Sequence, residues 1–194
     1  YSLSYMACGY MVSKVAAGTM GYARSAQPAK LICGLLSQYG DVGDEAEAAL
    51  QRQYGAIDLR SDRRPFVEST YYEREMGCGL QRWWIAFERL MTEGDIATVK
   101  TATNAIERDL ADPNGRRRVN LDPGYMVPSR LVLATTKDFA HRVYLADGVY
   151  GEVTLVWRHG GFVPMDWTYP DYRSDDARGF FGRVRARLME QLRV

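Results

Sequence analysis

Two long apolar runs, "KLICGLL" at residues 30–36 and "LQRWWIAFERLM" at residues 80–91, constrain this chain more than any other feature. A strand whose apolar residues are continuous must be covered on both faces, which places it centrally in a sheet. Each run leads into a helical stretch. The first is "DVGDEAEAALQRQYG" at 41–55. Asp41 or Asp44 can cap it, acids fill its first turn, and Gly55 stops it. The second is "EGDIATVKTATNAIERDLAD" at 93–112. There Ile96, Val99, Thr103, Ile106 and Leu110 form one stripe at the helical period, and Pro113-Asn114-Gly115 ends it. A shorter strand follows each helix, "AIDLR" at 56–60 and "RRRVNLD" at 116–122. The order β-α-β therefore occurs twice, with one or two helical turns at 69–79 between the units. This predicts an α+β fold with a ferredoxin-like double βαβ core, in which the first and third strands are central.

The remainder predicts a C-terminal β-hairpin and helix. Asp122-Pro123-Gly124-Tyr125 carries turn residues and is expected to turn the chain. Residues 129–138 read either as a strand or as a short helix. Asp147-Gly148 marks a hairpin turn and Gly160-Gly161 a second turn. A last helix starts near Ser174 and turns Phe181, Val184, Leu188 and Leu192 inward. No linker breaks residues 28–194, so they read as a single α+β domain. Residues 1–27 lack periodicity and read as disordered or as an upstream extension, with Met20 as the true start.

Net charge is +1, which gives no electrostatic case for nucleic acid or an anionic membrane. The apolar runs are too short to span a bilayer. Cys8, Cys33 and Cys78 are widely spaced and odd in number, forming neither a disulfide framework nor a CxxC site, so a reducing cytoplasm is expected. There is no P-loop, HExxH or GxSxG. With His141 and His159 the only histidines, a multi-histidine metal site is disfavoured, whereas a carboxylate-held Mg²⁺ stays open. Only 4 of the 25 Lys and Arg residues are lysine, and Lys100 and Lys137 are two of them. A position that keeps lysine in such a chain can need a compact, titratable ammonium.

Polar residues recur at alternate positions after residue 116. Arg118 and Asn120 share one strand face, as do Arg142 and Tyr144, and Glu152 and Thr154. One sheet could gather these with Lys137 and His141 at its rim. Any antiparallel sheet with one wet face alternates in this way. Yet Arg, Asn, Lys, His and Glu together suit a phosphate or carboxylate ligand. His141 is either an acid-base group or a surface histidine. Asp122 either holds a cation or starts a turn. "TYPDYR" at 168–173 either stacks on a ring or packs over the last helix.

The stretches "YYEREMG", "FERL", "KTATNAIE", "RRVNLDPGY", "LVLATTKDFAHRVYLADGVYGEVTL" and "WTYPDYRS" together resemble an uncharacterised bacterial family, a domain of unknown function. The resemblance runs from about Lys30 to the end and implies no established activity. Its motif positions include Lys100, Asn104, Arg118, Asn120, Asp122, Lys137, His141, Arg142, Tyr144, Glu152, Tyr169 and Asp171. The resulting expectation is a cytoplasmic protein binding or acting on an anionic small molecule, a nucleotide or phosphate ester. Arg118, Lys137 and Arg142 would hold the anion, with Asn120 and Tyr144 orienting it. His141, Glu152 and Asp122 would supply acid-base or cation chemistry, with Mg²⁺ as the candidate cofactor. The alternative is a non-catalytic protein-interaction domain.

Overall fold

The structure, a computed structural model, describes residues 22, 23 and 25–193. The reading of residues 1–27, including a start at Met20, therefore lies largely outside the described residues. The fold is α+β, with nine strands in one antiparallel sheet. The strands are β1 (Pro28–Ser37), β2 (Ile57–Arg60), β3 (Arg64–Pro65), β4 (Gln81–Thr92), β5 (Val119–Val127), β6 (Arg130–Thr135), β7 (Val143–Ala146), β8 (Val149–Arg158) and β9 (Gly161–Pro164). The helices are α1 (Gly40–Tyr54), α2 (Glu73–Met76), α3 (Ile96–Asp109), α4 (Pro170–Arg173) and α5 (Asp175–Gln191).

The sheet runs β2-β4-β1-β5-β6-β8-β7, with β3 on β4 and β9 on β8. The two apolar strands β1 and β4 are thus neighbours in its interior. Both of their faces are covered, which is why neither alternates. One face packs Cys33, Leu35, Trp83 and Ile85 against Val42 and Leu50 of α1 and Ile96 and Ile106 of α3. The other packs Ile32, Trp84 and Met126 against Phe180, Phe181, Val184 and Leu188 of α5. The hydroxyl of Ser174 caps α5 by accepting from the Ala177 N–H at 3.2 Å. By contrast α1 begins after Tyr39 with no side-chain cap, so neither Asp41 nor Asp44 has the expected role.

A buried cation ties α5 to the sheet. Lys30 is fully buried. Its Nζ donates to Asp58 Oδ2 at 2.7 Å, to the Phe87 carbonyl at 2.8 Å and to Gln191 Oε1 at 2.9 Å. All three ammonium donors are therefore used. Burial lowers the Lys30 pKa, and the Asp58 carboxylate opposes that shift.

Two local expectations need correction, and one alternative left open is resolved. Asp122-Pro123-Gly124-Tyr125 is not a turn; it lies inside β5, paired with Gly34 to Leu31 of β1. The β5–β6 ladder begins only at Gly124↔Leu133, so Pro123 stands just beyond its end, where a missing N–H forfeits no rung. Gly124 is needed for close approach, because a Cβ there would lie 2.4 Å from the Val132 carbonyl oxygen. Gly124→Ala is expected to destabilise the fold by about 1–3 kcal/mol through that overlap, measured by chemical denaturation. Second, of the two readings open for residues 129–138 the strand holds, with β6 over residues 130–135. Third, the β8–β9 turn is centred on His159 and Gly160, both at positive φ, one residue earlier than expected. The Asp147-Gly148 turn, also at positive φ, is where it was expected.

Candidate functional site

The candidate site begins where β5 and β6 part. Before Gly124, β5 pairs only with β1, so its outer backbone groups have no strand partner. Buried backbone groups must be satisfied somewhere. Here α3 does it: Lys100 Nζ donates to the Leu121 carbonyl at 2.8 Å, and the Leu121 N–H donates to Glu107 Oε1 at 2.6 Å. Lys100 and Glu107 lie two helical turns apart, on the buried stripe that carries Thr103. Burial raises the Glu107 pKa, with Lys100 opposing.

The parted strands leave a cleft of about 550 Å³ between α3, β5 and the chain after β6. Lys100, Arg108, Arg117 and Lys137 supply its cations, Asn104 and Asn120 its amides, and Glu107 and Asp122 its carboxylates. Arg117 is engaged: it forms a fork with Glu75 at 2.9 and 2.6 Å and donates to Asn120 Oδ1 at 2.7 Å. Arg108 is exposed, and its guanidinium has no hydrogen bond or ion pair with a described residue. Lys137 Nζ donates only to the Tyr71 hydroxyl, at 2.9 Å, and meets no carboxylate. Asn120 is buried, and its Nδ2 makes no well-formed hydrogen bond to a described residue.

Asp122 is held from below by Arg82, whose Nη1 donates to Oδ2 at 3.0 Å. Burial pushes the Asp122 carboxyl upward, but Arg82, Lys100 and Asn120 outweigh it and hold the pKa below the ordinary value. The Arg82 Nε also lies 2.9 Å from Asp171 Oδ2, and Asp171 is raised by burial despite this partner. Phe66 and Tyr172 flank the guanidinium at 5.5 and 5.9 Å from their ring centroids.

A second cluster braces the cleft from behind. Glu152 is buried on β8, and its Oε2 accepts from Arg142 Nε at 2.8 Å and lies 3.2 Å from His141 Nε2. Arg142 then donates to the Lys137 carbonyl at 2.9 Å and to the Tyr169 hydroxyl at 2.7 Å. Glu152 thus fixes Arg142, and Arg142 fixes two residues of the cleft wall. His141 stacks on Trp167 with centroids 5.2 Å apart.

The expected site residues divide accordingly. Asn120, Asp122 and Lys137 line the cleft. Arg142, Glu152 and His141 stand behind it. Arg118 lies over the Tyr39 ring at 5.0 Å and is not part of the lining. Tyr144 is exposed on edge strand β7, edge-on to Tyr150. The expected wet face is also revised. Asn120, Glu152 and Thr154 are buried, while Val143 is exposed. A register shift pairs Val153 with Val132 but Leu155 with Leu131, so Val153 and Leu155 do not share a face. Arg82, Glu107, Arg108 and Arg117 were missed. For Arg82 the signal was a charge inside an otherwise apolar run.

Among the described residues no group of three or more His, Cys, Asp or Glu is arranged to hold a metal. No described helix is long and apolar enough to cross a membrane. A family model described as "Domain of unknown function (DUF4416)" matches residues 27–188. No curated protein and no solved structure matches the chain.

Proposed function

We propose that this chain, which belongs to the DUF4416 family, binds an anionic small molecule of the nucleotide or phosphate-ester kind in the cleft beside Asp122. One observation carries the reading. Arg108 and Lys137 face the cleft without a carboxylate partner, above the buried Asn120 amide. Cations left unpaired around a concave polar surface suit an incoming anion. Arg142, His141 and Glu152 act as its support, not as groups that touch the ligand. Asp122 is the acid placed to meet a ligand hydroxyl or a Mg²⁺ carried by its phosphate, since Glu107 is already engaged by the Leu121 N–H. The order β2-β4-β1-β5, with α1 and α3 on one face, supports a ferredoxin-like core as the frame. A reducing, cytoplasmic setting fits the free thiols of Cys33 and Cys78.

A thermal-shift screen of nucleotides and sugar phosphates, with and without Mg²⁺, tests the reading. A ligand at a hundredfold excess over Kd adds about 2.7 kcal/mol of stability. That is roughly 5–10 °C in Tm for a domain of this size. The shift should vanish in an Arg108→Ala, Lys137→Ala double variant, since both side chains are exposed and dispensable for packing. No shift with any compound, or an equal shift in the double variant, would sink the proposal.

A second reading, a non-catalytic interaction domain, is favoured by the exposed Val143, Tyr144 and Leu145 on edge strand β7. Under it, the small-molecule screen returns nothing.

A further inference from the structure

The cleft continues into a second chamber of about 400 Å³ whose chemistry is different. Phe66, Tyr71, Tyr72, Tyr169 and Tyr172 line it. Tyr72, Asp122, Lys137 and Tyr169 border both chambers and so form a waist between them. Along this path Arg108, Arg117, Asn104 and Asn120 come first, with Lys100 and Glu107 of α3 beside them, then Asp122 and Lys137 at the waist, then the aromatic rings with Glu68, Arg82 and Asp171 among them. Asp122 uses Oδ2 on Arg82 but keeps 26% of its side chain exposed, so it retains acceptor capacity toward the cleft. At the aromatic end the Tyr172 hydroxyl is buried and has no hydrogen-bond partner among the described residues. A buried hydroxyl without a partner is unusual. Room for it is made at Gly34, where a Cβ would lie 2.4 Å from that oxygen.

We propose that the ligand is a nucleoside phosphate lying lengthwise, with phosphate toward Arg108 and Lys137, sugar hydroxyls on Asp122, and base among the rings of Phe66, Tyr71 and Tyr72. This rests on the reading of the cleft as an anion site and narrows it. A simple sugar phosphate would leave the aromatic chamber to water. A phosphate on an aliphatic tail would draw methylenes past a charged carboxylate that needs donors. A sugar offers Asp122 hydroxyl donors, and a base offers the rings a planar face and Tyr172 a polar edge.

Isothermal titration of the full chain with AMP, GMP, CMP, UMP, ribose 5-phosphate and inorganic phosphate tests this. Stacking on aromatic side chains makes at least one nucleotide bind roughly tenfold to a hundredfold tighter than ribose 5-phosphate. Phe66→Leu should remove most of that advantage and leave ribose 5-phosphate affinity unchanged, whereas Tyr172→Phe, which keeps its ring, should remove only the part owed to its hydroxyl. Tyr172→Phe deletes only an unpartnered hydroxyl, so its Tm should not fall, which separates a ligand effect from misfolding. If every nucleotide binds no tighter than ribose 5-phosphate, or both variants weaken the two alike, the base site is wrong while the anion reading stands. If none of the six compounds binds, both readings fall together.

Discussion

Lys30→Ala should lower the free energy of unfolding by about 3–5 kcal/mol, read by chemical denaturation at neutral pH. The ammonium is fully buried and serves three acceptors, Asp58, the Phe87 carbonyl and Gln191. Truncation leaves the Asp58 carboxylate with only the more exposed Arg187, at 3.4 Å, and strands the Phe87 carbonyl. It also opens a void beneath the end of α5. The instructive control is Asp44→Ala, which breaks only the pair with Arg63, with the Asp44 side chain 72% exposed. That pair is worth at most about 1 kcal/mol. A Lys30→Ala loss no larger than the Asp44→Ala loss would show that the buried ammonium is not what pins α5.

Arg82→Met should cost about as much, roughly 3–5 kcal/mol at pH 7, and should also change a pH dependence. In the native protein the depressed Asp122 pKa contributes stability above the unfolded value that is lost as acid passes through the folded value. Asp171, raised by burial, acts in the opposite sense. Without the guanidinium both carboxyls lose the partner that most lowers them, so both folded pKa values move up. The variant's native state then binds more protons than that of the parent, and its deficit grows as pH rises. Arg82→Met should therefore lose more stability, relative to the parent, at pH 7 than at pH 5. An equal loss at the two pH values would show that Arg82 does not neutralise these two acids.

Much of this architecture is written in residue periodicity. The helical stripe at Ile96, Val99, Thr103 and Ile106 and the unbroken runs of β1 and β4 report their environments directly. Asp122-Pro123-Gly124 misleads because Pro and Gly serve two ends. A turn uses them for their dihedral angles, whereas here Pro123 sits where the ladder has no rung to lose and Gly124 admits the Val132 carbonyl. Both reasons lie on a different strand and leave no local trace. Alternation after residue 116 fails for a related cause. β5 starts at Val119, so Arg117 and Arg118 precede the pleat, and Arg117 reaches the cleft while Arg118 turns to Tyr39. Lys100 was legible through lysine's scarcity. Glu107 was not, because an acid on a helix is ordinary until its partner, the Leu121 N–H, is known.

The replacement of strand partners by α3 side chains also bears on the order of folding. The bonds from Lys100 and Glu107 to Leu121 close segments of only 21 and 14 residues, whereas the bond from Ser37 to the Arg118 carbonyl closes 81. Loop-closure entropy grows with the logarithm of that separation, so the short closures are reached first. The first half of β5 can thus take its alignment from a neighbouring helix before β1 arrives, and a long-range antiparallel sheet gains a locally assembled starting edge. The gap in the ladder that opens the cleft is also where the sheet begins to assemble.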